Sequence, residues 1–351
     1  MTQTLLWTGF VLFVLGMLFV DLFIVSRGKG GQQLTIPPKK ALGITAIFVS
    51  LALMFAAVVY IVYDKQLMGG GALSHTREPM TGTIAVGEYL SVWMLEYAMS
   101  VDNLFVFTLV FSFFRVPAQY QHRVLFWGIL GALVLRGVMI GVGATLVKAF
   151  APILILFGVV LVWTAFKMLK SDDEKFDPSK SIAIKIVKRF FPVTDTVDGE
   201  KFFVNAPVGP RQPDGTNLIV KAATPLFLVL CVVEATDLLF AVDSIPAAFG
   251  QSTEPFIIFT ANVFAIMGLR SLYFAIAGLM DMFRYLKPAL AGILFFIGVK
   301  MMFTPELPFL GWKGFHVHTL VSLAVIATLL TAGIVASLLH KPKPKNHDAS
   351  A

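Results

Sequence analysis

The sequence predicts an all-α fold: a polytopic membrane bundle of about nine transmembrane helices containing an inverted repeat of three-helix units. Three observations predict it. The first is composition: 57% of the 351 residues are hydrophobic and only 14% are charged, with a mean hydropathy of +0.81, whereas a soluble domain carries about a quarter charged residues. The second is segmentation. Crossing a bilayer takes about 20 apolar residues, and stretches of that kind recur at 4–25, 41–63, 87–114, 124–147, 150–169, 225–249, 255–280, 287–303 and 317–339. The third is the placement of Lys and Arg. Those of the segments after the first, third, fifth and seventh spans and of the tail all fall on one side; Lys65, Arg77, Lys148 and Lys313 fall on the other. Basic loops face the cytoplasm, which puts the N-terminus outside and the C-terminus inside a bacterial inner membrane. The net charge of +7 then reflects topology and lipid headgroup contact, and no nucleic-acid partner is expected.

In chain order, residues 1–86 hold the first two spans. The start, MTQTLLWTGF, lacks the basic region and cleavage site of a signal peptide, so the first span is expected to be retained. Residues 87–170 form the first three-helix unit and 225–303 the second; 304–351 supply the ninth span and a basic tail. The loop at 171–224 is the one sizeable soluble segment. Its SIAIKIVKRFF stretch, with Ile182, Ile186 and Val187, reads as an amphipathic helix lying on the membrane surface. Asp195, Asp198 and Glu200 do not have the spacing of a calcium-binding EF-hand loop and read as a solvated turn.

The repeat rests on polar landmarks. Glu96, Asp102 and Asn103 in the third span match Asp237, Asp243 and Ser244 in the sixth. Arg136 and Arg270 match in the next pair of spans, and Lys167 and Lys300 in the pair after that. The third and sixth spans cross in opposite directions, so the repeat is inverted, as in many secondary transporters whose sites lie near the midplane.

Acids inside spans cost at least a few kcal/mol each and mark function. Glu96, Ser100 and Asn103 share one helical stripe; Asp237, Ala241 and Ser244 share another, joined by Glu234 one turn earlier. Asp102 and Asp243 point about a third of a turn away. Either they face other helices, or Pro246 unwinds the sixth span and lets its acids converge. Five carboxylates (Glu96, Asp102, Glu234, Asp237, Asp243) stand against Arg136, Arg270 and Lys300. One divalent cation, or protonation, would neutralise the remaining negative charge. The donors are hard oxygens, suited to Mg, Ca or Mn, while the six histidines lie in loops or at span ends. The expected site is Glu96, Asp102, Asp237 and Asp243, helped by Glu234, Asn103 and Ser244, with Arg136, Arg270, Asn262 and Lys300 pairing or supporting. Glu88 reads either as a surface acid or as part of an ion vestibule. The single cysteine, Cys231, excludes an intramolecular disulfide and Cys-cluster metal sites.

EYAMSVDNLFVF at 96–107, TDTVDGEKFFV at 194–204, EATDLLFAVDSIP at 234–246 and NVFAIMGLRSLYF at 262–274 together resemble the TerC family of integral membrane proteins, named for tellurium resistance, and its Alx-like branch in particular. EYAMSVDN stands where EKSLSVDN is usual, and EATD where ELSD is; the acids are unchanged. The resemblance implies a superfamily of small cation and amino-acid exporters and efflux of manganese, with related members linked to calcium, alkaline pH and metal supply. The expected function is export of divalent cations, Mn(II) above all and Ca(II) as an alternative, with proton antiport as the coupling. The ion is then substrate, and no permanently bound cofactor is expected. The chain has no Walker motif. Two alternatives are a stress-response scaffold docking partners through 171–224, and an intramembrane aspartyl protease, which lacks its glycine-flanked aspartate motif.

Overall fold

The computed structural model describes residues 2–20, 37–68, 73–74, 78–170, 181–194, 199–207, 219–276, 285–305 and 314–339. Eleven helices and one hairpin follow in order. They are α1 (Thr2–Val20), α2 (Pro38–Asp64), α3 (Gly82–Phe113), α4 (Ala118–Ala149), α5 (Ile153–Lys170) and α6 (Ile182–Phe190). Strands β1 (Phe203–Pro207) and β2 (Ile219–Ala223) come next, then α7 (Pro225–Phe249), α8 (Pro255–Met267), α9 (Leu269–Ile276), α10 (Leu286–Phe303) and α11 (Thr319–Leu339). Among the described residues nine spans are long and apolar enough to cross a membrane, α8 and α9 forming one of them. They coincide with the nine stretches read from the sequence.

Helix ends follow local chemistry. The Thr81 hydroxyl accepts from the Ile84 amide at the start of α3. Pro225 and Pro255 open α7 and α8, where a missing N–H costs nothing. At the end of α3, Arg115 adopts φ 50° while Val116 N–H donates to the Phe111 carbonyl and Arg115 N–H to Ser112. Gln66 does the same after α2, with φ 52° and Leu67 N–H on the Val62 carbonyl. Both are Schellman ends built without glycine.

α8 is the hub. It packs on α3, α4, α2 and α1 and is buried almost throughout. α1 lies at the rim, burying only Phe10, Val14 and Leu18 while Leu5, Leu12 and Leu15 stay exposed. Phe10 meets the rings of Phe55, Phe256 and Phe264. Packing between the two three-helix units is reciprocal: α4 lies on α7 as α8 lies on α3, while α3 meets α7 and α5 meets α10. α5 and α10 are antiparallel. Gly158 meets Gly298 through bare backbone, a Cβ on either falling 2.6–2.8 Å from the other's carbonyl oxygen; further along α5, Phe166 meets Phe295, earlier on α10.

Three local features differ from the sequence reading. α7 runs unbroken through Pro246, so the expected unwinding there is absent. The interruption falls instead in the next span, at Gly268 between α8 and α9. The loop at 171–224 contains an antiparallel pair, β1–β2, with Phe203 opposite Ala223. Its aromatic side packs on α7: the Phe203 and Phe227 ring centroids are 4.5 Å apart. Glu200 lies in a turn as read and there pairs with Arg123 at 3.0 Å; Asp195 and Asp198 lie outside the described residues. α6 forms as expected, but Ile184 and Val187 are its buried residues, while Ile182 and Ile186 are exposed.

Candidate cation site

The centre of the bundle is organised by Arg136. Its side chain is 2% exposed and projects from α4 between α3, α7 and α8. Nη1 donates to Glu96 Oε2 at 2.6 Å, to Asn262 Oδ1 at 3.1 Å and to Ser244 Oγ at 3.4 Å. Nη2 and Nε donate to the two oxygens of Asp237 at 3.0 and 3.2 Å, the forked geometry that only a guanidinium offers a carboxylate. Asn103 Nδ2 donates to Asp237 Oδ1 at 3.4 Å. Every one of these side chains is buried.

The helical stripes explain the convergence. Glu96, Ser100 and Asn103 sit at i, i+4 and i+7 of α3 and face α7; Asp237 and Ser244 sit at i and i+7 of α7 and face back. Four polar atoms of the cluster have no hydrogen-bond partner among the described residues: Glu96 Oε1, Ser100 Oγ, Asn103 Oδ1 and Asn262 Nδ2. Three of them are oxygens on the α3 stripe. Arginine alone therefore leaves the cage with unspent oxygen lone pairs in a place where water does not reach, an arrangement that costs free energy unless another donor or cation visits.

The remaining expected residues are placed as follows. Glu234 flanks the cluster one turn before Asp237. Its carboxylate lies against the bare backbone of Gly131 on α4, where a Cβ would fall on the carboxyl atoms, and Glu234 Oε2 has no hydrogen-bond partner among the described residues. Asp243 stands apart from the cluster. In an unbroken α7 it points about a third of a turn from Asp237, and it accepts a 2.8 Å hydrogen bond from Thr164 on α5, with the Lys167 charge nearby. The Asp102 side chain lies outside the described residues. Arg270, on α9, is buried within electrostatic reach of His122. Lys300 donates to Ser322 on α11 at 3.0 Å and lies in reach of Glu88. Glu88 is 0% exposed, which excludes its reading as a surface acid. The paired landmarks differ in setting: Arg136 lies in the cage and Arg270 near His122, and Lys300 is buried whereas Lys167 is exposed over Trp163.

Two site residues were not singled out by the sequence. Thr164 is one hydroxyl in an apolar span and carries no signal until α5 is seen against α7. Gly131 becomes informative only when Glu234 is seen to fill the space its missing side chain leaves. Among the described residues no three His, Cys, Asp or Glu side chains are grouped closely enough to hold a metal ion by themselves; the donors at the centre are two carboxylates supplemented by amide and hydroxyl oxygens. Outside the spans, Glu254 in the turn before α8 has its carboxyl pushed above the usual range by burial, more than Lys148 pulls it down, with Glu88 adding to the rise.

Comparison with known proteins places the chain among integral membrane proteins. The model of a family described as "Integral membrane protein TerC family" matches residues 81–345. An uncharacterized membrane protein of Myxococcus xanthus, STKORF319, is 39% identical over 346 residues, covering 99% of this chain and 96% of its own. The tellurium resistance protein TerC of Serratia marcescens is 34% identical over 352 residues, 97% and 95% of the two chains. The membrane-bound protein Alx of Escherichia coli K12 is 38% identical over 328 residues, 93% and 92% of the two chains. No solved structure matches the chain.

Proposed function

The chain belongs to the TerC family of integral membrane proteins, and from that premise we propose that it is a transporter exporting divalent cations, manganese(II) foremost, through the cage around Arg136. The observation that carries the proposal is the set of unspent, buried oxygens on α3, Glu96 Oε1, Ser100 Oγ and Asn103 Oδ1, facing the Asp237 carboxylate across the unit boundary. Hard oxygens of this kind suit Mn, Mg and Ca over softer metals. Their placement at the contact of two reciprocal three-helix units is where a rocking transporter would expose a site first to one side and then to the other. Glu96 and Asp237 would bind the ion directly; Ser100, Asn103 and Ser244 would complete its shell. Glu234, one turn toward the α6 face, would receive the ion on its way in. The proposal takes the membrane to be the bacterial inner membrane, with the basic α6 face cytoplasmic, and takes a proton to exchange for the metal.

Uptake into proteoliposomes under an imposed pH gradient tests this. The expected outcome is accumulation of Mn(II), and of Ca(II) more weakly, that falls at least about tenfold in Glu96→Gln and Asp237→Asn; losing one charged ligand costs a kcal/mol or more, a factor of about ten per 1.4 kcal/mol. Equal accumulation in wild type, both variants and empty liposomes would sink the proposal.

A further inference from the structure

Resting on that transport reading, we propose that Arg136 is a tethered stand-in for the transported cation: its guanidinium fills the oxygen cage when no ion is present and withdraws to Glu234 when one binds. The guanidinium already donates to Glu96, Asp237, Ser244 and Asn262, so it and an incoming ion need the same acceptors. An empty cage would leave the Glu96 and Asp237 carboxylates side by side in a buried site, which is strongly unfavourable without a cation. Each time the ion leaves, and until protons or a new ion arrive, the cage needs another counter-charge. A guanidinium supplied by the chain removes the difficulty, while its flat fork leaves Glu96 Oε1, Ser100 Oγ and Asn103 Oδ1 unspent. A spherical hard ion, which takes six or more oxygens, can use all of them.

The withdrawal has a place to go. α4 and α7 run in the same direction: Gly128 meets Val233, Gly131 meets Glu234 and Gly143 meets Phe249. Glu234 precedes Asp237 by three residues, one turn away on the same side of α7, so the guanidinium forked onto Asp237 ends about 4.5 Å along the helix axis from the level of Glu234 and Gly131. There the glycine's bare backbone leaves room for the Glu234 carboxylate, whose Oε2 lacks a hydrogen-bond partner among the described residues. A guanidinium moved down by about one turn meets an unsatisfied acceptor. With these acids ionised, the Arg136–Glu234 pair is neutral, and a divalent ion between Glu96 and Asp237 is neutral too.

The test is Mn(II) binding by the full-length chain in lipid nanodiscs, measured from the free-Mn(II) electron paramagnetic resonance signal. Removing an internal competitor raises apparent affinity by the fraction of sites it held, so Arg136→Gln is expected to bind Mn(II) at least about tenfold tighter than wild type. Glu234→Gln, which strands the guanidinium in the cage, is expected to bind at least about fivefold weaker. The double variant is expected to match Arg136→Gln, since without the arginine its landing place has no effect. Arg136→Ala, prepared in guanidinium and then freed of it, guards against a variant that does not fold alone. Returning millimolar guanidinium should weaken its Mn(II) binding, and tetramethylammonium should not. Wild type that binds Mn(II) while both arginine variants bind it no tighter overturns this inference and leaves the transport reading standing. Absence of Mn(II), Ca(II) and Mg(II) binding in wild type and all variants overturns both.

Discussion

At the scale of single residues, burial and charge decide what each acid does. Asp237 and Asp243 are six positions apart on one unbroken helix, yet the first meets a guanidinium and the second a threonine hydroxyl. Spacing alone left this open, because Pro246 allowed either a straight or an unwound helix. Glu254 shows the same competition outside the spans, with burial outweighing Lys148. A carboxyl whose folded pKa is raised binds more protons folded than unfolded, so stability falls as pH rises through the interval between the two values. Below the ordinary glutamate value of 4.5 both states are protonated and the penalty vanishes. Glu254→Gln should therefore melt at a higher temperature than wild type at pH 7.5 and at the same temperature near pH 4. A detergent-solubilised melting series over that range checks it. A gap that stays constant with pH would mean that the ionisation of Glu254 is not the cause.

At the scale of elements, close backbone approach is what the helices are built around. Gly298 on α10 leaves no room for a methyl group: a Cβ would lie 2.8 Å from the Gly158 carbonyl oxygen and 2.8 Å from Val162 Cγ2. Gly298→Ala must push α5 and α10 apart and is expected to cost about 1–3 kcal/mol. Gly292, two turns earlier on the same helix, has only Leu329 Cδ1 at 3.8 Å. There Gly292→Ala is expected to stabilise by about 0.5–1 kcal/mol, the gain from removing a helical glycine. Unfolding in mixed micelles reads both signs; the same sign for the two would refute the packing account. The sequence showed the spans plainly, since twenty apolar residues have few alternatives. It did not show the Gly268 interruption, because the apolar run continues through it. Nor did it show β1 and β2: FVNAP and IVKAA are short and weakly alternating, and what stabilises them is the Phe227 ring on α7, a contact that crosses elements.

At the scale of the whole molecule, the stripes of α3 and α7 made the site half legible. Glu96, Asn103, Asp237 and Ser244 could be grouped from helical periodicity, whereas the central role of Arg136 depends on how α4 lies between them. One face of the molecule is also marked for a bilayer surface. Ile182, Ile186 and Phe190 form an exposed apolar row on α6, flanked by Lys185, Lys188 and Arg189, while Ile184 and Val187 hold the helix to the bundle. An environment-sensitive fluorophore on Ile186→Cys, in a Cys231→Ala background, should shift to the blue in vesicles containing anionic lipid. Ile186→Glu should weaken the lipid contact without unfolding the spans. A label that reports water in every vesicle composition would contradict this placement.

The enclosure of α8 has one further consequence. Membranes differ in thickness, and a bundle meets a thicker or thinner one by tilting the helices that touch lipid. Here those are the outer ones, such as α1, whose Leu5, Leu12 and Leu15 face outward. α8 has almost no lipid-facing surface, and it carries Asn262 straight into the cage. α8 is thus the one wall of the cage shielded from the bilayer, whereas α4 and α7, which turn Val134, Val138, Leu238 and Leu239 outward, carry a change of membrane thickness inward to Arg136 and Asp237.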